Sequence, residues 1–199
     1  KEKYEDIDQH LTKGSRECYF TKKQDTPNSM NVFVYHAPMK KTLKNAILIS
    51  MLEQSMDMLF TETVREESGG AYGVPVSANL SDYPEEIAVV QVVLPTAPEK
   101  RVAMTALIDK GVKQMMEKGP SEENLAKIKE YMLRSHQEEL KSNDYWMSSL
   151  LLKTRYNKEF VEGYADCVNS VSIEDIKQTA QQVFGCNNRL VVGMETPQE

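Results

Sequence analysis

The stretch Val64-Arg65-Glu66-Glu67-Ser68-Gly69-Gly70-Ala71-Tyr72-Gly73-Val74 joins the two kinds of pattern from which this chain is built. Upstream, from Thr42 to about Glu67, Leu43, Ala46, Ile47, Met51, Met58 and Leu59 recur at helical spacing. Downstream, Tyr72 to Leu80 and Glu86 to Leu94 read as two strands joined at the turn Ser81-Asp82-Tyr83-Pro84. A glycine pair just past a helix supplies the left-handed turn that other residues resist. The chain can therefore reverse there and bring Arg65, at the helix end, toward Tyr72, at the strand start. A guanidinium fork beside a phenol suits a peptide carbonyl, a carboxylate or a developing oxyanion. Spacing alone leaves another arrangement open, with Arg65 paired to Glu66 or Glu67 and Tyr72 in the core.

Working outward, Glu17 to Lys23 and Met30 to His36 read as strands around the turn residues Asp25-Thr26-Pro27-Asn28-Ser29. In the second, Val32, Val34 and His36 alternate with Phe33 and Tyr35, so both faces carry bulk. The segment Ile87-Ala88-Val89-Val90-Gln91-Val92-Val93-Leu94 is apolar nearly throughout, the pattern of a strand covered on both sides. Pro98 opens a helix to about Lys118, and Gly119-Pro120 stops it. Ser121 caps the next, with Glu122 and Glu123 placed against its dipole, and that helix reaches about Ser142. Asp144 to Tyr156 and Glu159 to Asn169 read as further helices. Ser172 caps a last helix to Phe184, and Arg189 to Met194 is a final strand. The order β-β-α-β-β, helices, β predicts an α+β two-layer sandwich: a mainly antiparallel sheet packed on one side by helices. Residues 1–14 are polar and without period, which makes them a linker or frayed start; residues 15–199 make one domain.

A chain of 199 residues, 40% hydrophobic and 27% charged, is an ordinary globular composition with room for a core. A net charge of −6 argues against nucleic acid as a partner. No apolar run approaches the length of a bilayer span. Lys1 opens a charged segment without the form of a signal peptide, and the missing initiator Met points to a fragment or processed chain. Cys18, Cys167 and Cys186 form neither a disulfide framework nor a zinc motif; a Cys167–Cys186 bridge is left open.

Catalytic motifs are absent. There is no G-x-S-x-G elbow and no dinucleotide fingerprint, and the glycines near Ser68 lack the strand-before, helix-after setting of a phosphate loop. The three histidines are His10, His36 and His136. In His136-Gln137-Glu138-Glu139-Leu140, leucine stands where an H-x-x-E-H helix needs its second histidine. His136 and Glu139 are expected on a solvated, charged helix face, and no metal site is expected in this chain.

Thr61-Glu62-Thr63-Val64-Arg65-Glu66-Glu67, followed by Gly69-Gly70-Ala71-Tyr72-Gly73-Val74, resembles the C-terminal arginine–tyrosine signature of the pitrilysin (insulinase-like, inverzincin) zinc metalloproteases, bacterial members above all. Tyr83-Pro84, Pro98-Glu99-Lys100, Gly119-Pro120-Ser121-Glu122-Glu123 and Asn143-Asp144-Tyr145-Trp146 follow in the family's order. The resemblance spans roughly residues 30 to 194. It implies repeated α/β domains, with zinc in an N-terminal half over which the C-terminal half closes. It also implies that Arg65 and Tyr72 bind peptide substrate while Gly69 and Gly70 shape the turn. No catalytic residue and no cofactor is then expected in this chain, which is inactive alone; zinc is expected in the partner half, on the same chain or a separate subunit. The alternative is a non-catalytic structural or assembly domain of the same fold, as in the non-catalytic subunits of mitochondrial processing peptidases. A periplasmic or envelope location is what resemblance to bacterial members implies.

Overall fold

In the computed structural model, which describes residues 10–68 and 73–197, with side chains through Thr63 in the first stretch, strand Ser29–Pro38 (β2) forms the middle of a five-stranded sheet. Its alternation decides which face is buried. Phe33 and Tyr35 point to the helical side and are buried, whereas Val32 and Val34 on the other side are only half-buried. The remaining strands are Ser15–Thr21 (β1), Val76–Ser81 (β3), Ile87–Thr96 (β4) and Arg189–Glu195 (β5), in spatial order β1-β5-β2-β4-β3. All pairings are antiparallel except β1 with β5.

Helices Leu43–Ser68 (α1), Arg101–Lys118 (α2), Glu122–Glu139 (α3), Asn143–Tyr156 (α4), Tyr164–Ser170 (α5) and Ile173–Phe184 (α6) complete the α+β sandwich. The core lies between sheet and helices and includes Met51, Leu52, Met56 and Phe60 of α1 and Ala88, Val90, Val92 and Leu94 of β4, all fully buried. Phe60 reaches α2 because position 111 is glycine: a Cβ there would lie 2.5 Å from the ring.

Several boundaries differ from the sequence reading. The strand expected from Tyr72 begins at Val76; residues 69–72 lie outside the described residues, and Pro75 has no N–H for a ladder. The helix expected from Glu159 begins at Tyr164. Asn157 takes a left-handed φ of 52° and ends α4, and the Glu159 carboxylate accepts the N–H groups of Val161 (2.9 Å) and Glu162 (3.3 Å), closing a turn instead. The Lys153 ammonium, with those two N–H groups, holds the Glu159 carboxyl down at about 2. Ser142, expected as the end of α3, is the N-cap residue of α4. Cys167 and Cys186 are both free. Residues 1–9 of the expected linker lie outside the described residues. Residues 10–14 are tied to the domain: the Gly14 N–H donates to Asn188 Oδ1 at 2.9 Å, and the Thr12 carbonyl accepts from His36 Nε2 at 3.1 Å.

The expectation that β4 is covered on both sides is also corrected. Its Ile87, Val89, Val93 and Pro95 are half-buried, on a face that no helix covers among the described residues. Phe20, Met30 and Val192 on the same face are more exposed still. Helix α4 buries no residue, and its Met147, Leu150 and Leu151 form an apolar stripe that is more than half exposed.

Helix α6 starts with a reciprocal cap. The Asp175 N–H donates to Ser172 Oγ at 3.2 Å, and the Ser172 N–H donates to Asp175 Oδ2 at 2.9 Å. The Ser172 hydroxyl, followed by its backbone N–H, lowers the Asp175 carboxyl below its ordinary 3.8. A lowered carboxyl contributes stability above its unfolded pKa, and that contribution is lost as pH falls through the folded value. Ser172→Ala is expected to cost about 1 kcal/mol in urea unfolding at neutral pH, and less in acid once Asp175 is protonated. An equal loss at both pH values would contradict this account.

Candidate functional site

Helix α1 and its exit toward β3 carry the residues singled out from the sequence. Arg65 lies in the last turns of α1; its side chain, together with Gly69, Gly70 and Tyr72, lies outside the described residues. Whether Arg65 and Tyr72 converge is therefore an expectation from the sequence. What the structure does describe is the frame on either side of them.

On the helix side, Met56 and Phe60 anchor α1 in the core, and the Thr63 hydroxyl donates to the Leu59 carbonyl at 2.8 Å. On the strand side, Val74 is buried, and the Pro75 carbonyl accepts the Val93 N–H at 3.0 Å. One side chain ties the two flanks together: Asp57 Oδ1 accepts the Val76 N–H at 3.4 Å. The described residues on either side of 69–72 are thus fixed to the core and to each other. Sequence reasoning passed over Asp57, whose signal is a carboxylate set between Met56 and Met58 in an apolar helical run.

The histidines do not come together. His10 pairs with Glu85 at 2.7 Å on the surface. His36 is buried and must carry its proton on Nε2, since the Thr12 carbonyl can only accept. His136 is not on the solvated face expected of it: it is 5% exposed and stacks on Tyr164 with ring centroids 4.0 Å apart. The expected charged face fails because α5 packs over that side of α3 and brings Tyr164 onto the imidazole. A zinc centre of the H-x-x-E-H type needs two histidines and a carboxylate on one helix face. These residues do not fit it, and no step through zinc is assigned to this chain.

Comparison with known proteins gives one consistent result. The family model described as peptidase M16 inactive domain matches residues 1–132. No curated protein sequence matches. Among solved structures, a mutant of the ferredoxin protease FusC in complex with Arabidopsis ferredoxin is similar, with TM-score 0.82 and 19% identity, over 97% of this chain and 21% of that one. The periplasmic protease PqqL from Escherichia coli matches with TM-score 0.77 and 14% identity, over 92% of this chain and 21% of that one. A peptidase M16 inactive domain from Pseudomonas fluorescens matches with TM-score 0.75 and 15% identity, over 94% of this chain and 44% of that one. The chain therefore spans about a fifth of the two proteases and under half of the third structure.

Proposed function

This chain belongs to the peptidase M16 family, as a domain of its inactive type, and from that premise we propose that it is the substrate-binding C-terminal domain of a zinc-dependent peptidase. The zinc would be held by a separate half of the peptidase, and the chemistry it would supply there is activation of water and polarisation of the scissile carbonyl. In this proposal Tyr72 donates its hydroxyl proton in a hydrogen bond to that carbonyl oxygen as it gains negative charge. Arg65 holds a neighbouring backbone carbonyl and keeps the peptide in register. Gly69 and Gly70 shape the turn that presents both. A bacterial periplasmic or envelope location belongs to the same proposal and is supported by the likeness to a periplasmic protease.

The observation that supports pairing with another body is two apolar surfaces left uncovered among the described residues, the α4 stripe Met147, Leu150 and Leu151 on the helical side and the outer sheet face around Phe20, Met30 and Val192. Apolar area of this kind marks a surface meant for another body, here the rest of the peptidase. The test is peptide cleavage: this chain alone should be inactive, and the zinc-bearing half should gain turnover when the chain is added. If turnover is indifferent to its presence, the domain is a structural or assembly element instead. Leu150→Glu combined with Leu151→Glu should change the domain's own stability by no more than about 1 kcal/mol. The same pair should weaken co-sedimentation with the zinc-bearing half by about tenfold, since each charge would be carried into an apolar contact. Unchanged association would remove α4 from the interface.

A further inference from the structure

Two hollows lie side by side along the first half of α1, and neither belongs to the site at its far end. The first, about 330 Å³, is largely apolar and lined by Leu43, Ile47, Met132, Tyr145, Leu152 and Tyr164 among others; Lys41 also lines it, with its ammonium paired to Asp82 at 3.7 Å. The second, about 280 Å³, is polar and carries Glu53 and Glu139. They share Ser50, Met132 and Tyr164 as a common wall, which makes them one groove between α1 and α3, roofed by α4 and α5. Ser50 lies fifteen residues before Arg65, about 22 Å along the helix at 1.5 Å per residue.

Three observations define what this groove accepts. First, neither carboxylate has a cationic partner among the described residues, whereas Lys44, Lys127, Lys158 and Arg189 elsewhere each pair with a carboxylate. Glu53 is partly withdrawn from water, and burial raises its carboxyl above the ordinary value, opposed by the Ala78 N–H it accepts and helped by the nearby Asp57 charge. Second, the aromatic half adjoins Glu139: burial, and after it the Glu139 charge, raises the hydroxyls of Tyr145 and Tyr164, the latter to about 12. Third, an aromatic cluster backs the wall, with His136 stacked on Tyr164 at 4.0 Å and edge-on to Tyr145 at 5.7 Å. The His136 ring is 5% exposed, and its Nδ1 has no partner. Rings and carboxylates without a cationic partner around an apolar slot are the chemistry that recognises an organic cation.

The geometry points to a binding groove for an ammonium or guanidinium group carried on an apolar stem. The stem fills the slot between Leu43, Ile47, Leu152 and Tyr164, and the cation sits between the tyrosine rings and the carboxylates of Glu53 and Glu139. A small amine and the basic side chain of a peptide share this chemistry. The inference does not depend on the role of Arg65 and Tyr72, and it holds whether or not the parent protein is a peptidase.

The test is a titration of the 199-residue chain, followed by two-dimensional amide NMR. The probes are phenethylamine, its neutral isostere phenethyl alcohol, and an N-acetylated leucyl-lysyl-leucine amide. The amine is expected to saturate, with shifts centred on Ile47, Met132 and Tyr164, and to bind about tenfold tighter than the alcohol, the worth of a charge-assisted contact. Glu53→Gln with Glu139→Gln should abolish that difference while the unperturbed part of the spectrum reports an intact fold. Tighter binding by the peptide than by the amine would identify the groove as a peptide site, and the reverse as a small-molecule site; both support an organic-cation groove. Equal binding of amine and alcohol, a preference that survives the double glutamine variant, or no saturation with either cation would overturn it.

Discussion

Tyr72→Phe in the complete peptidase is expected to lower turnover by about 100-fold with little change in KM. The reason is the timing of the contact. A phenol placed against the scissile carbonyl gains most when that oxygen becomes an oxyanion, and removing one such donor costs about 10² to 10³ in kcat. An interaction made only in the transition state lowers kcat and kcat/KM together. Arg65→Ala is expected to behave differently. If Arg65 holds a backbone carbonyl that does not react, its loss raises KM as well as lowering kcat, because register is lost in the bound substrate too. The two variants thus separate a transition-state donor from a positioning group. Unchanged turnover in Tyr72→Phe would end the proposed role for the hydroxyl and return Tyr72 to the core reading that the sequence left open. The side chain stays aromatic in this variant, so a loss of packing is not a competing explanation.

Phe60→Ala is expected to destabilise the domain by about 3–5 kcal/mol, the usual range for emptying a buried aromatic site. Phe60 is fully buried, and it is the residue through which the second half of α1 meets α2 at Gly111. For a chain of this size the loss corresponds to a fall in Tm of roughly 6–20 °C. The packing predicts more than the size of the effect. In the native protein Gly111→Ala should destabilise, because its methyl group meets the Phe60 ring, itself locked in the core, and this outweighs the gain of about 1 kcal/mol from alanine in a helix. In the Phe60→Ala background the same change should stabilise, since the ring is gone and the propensity gain stands. A double-mutant cycle measured by denaturant unfolding should therefore show a reversal of sign at position 111. Simple additivity would mean that the ring and the glycine do not constrain each other. Because Arg65 lies about one and a half turns beyond Phe60, the single variant should also impair turnover in the complete enzyme through misplacement, with KM and kcat both affected.

Much of this architecture is legible in the linear pattern. The helical spacing from Leu43 onward, the alternation around Phe33 and Tyr35, and the caps at Ser121 and Ser172 are local signals, and each depends on a few neighbouring residues and a fixed period. Their order was enough to predict the two-layer sandwich, and the wording around Arg65 and Tyr72 carried the resemblance to the family whose model matches the chain. Local signals failed where a distant group intervenes. Glu159 looked helical by composition, but its carboxylate is drawn to two N–H groups of its own turn and to Lys153. His136 looked solvent-facing beside Glu138 and Glu139, but Tyr164, twenty-eight residues later, covers it. In β4, apolar residues on both faces implied two covering layers, because a sequence records that a face is apolar and not which body covers it.

The sequence by itself determined the kinds and order of the elements, the helical and extended faces and the family, since these follow from periodicity, turn chemistry and motif wording along the chain. Only the tertiary structure decided that the carboxylates Glu53 and Glu139 share a groove with Tyr145 and Tyr164, that Asp57 ties the second half of α1 to the start of β3, and that, among the described residues, one face of the sheet and the outer stripe of α4 stand uncovered. Those facts depend on which residues far apart in sequence meet in space, and a one-dimensional period carries no record of such meetings.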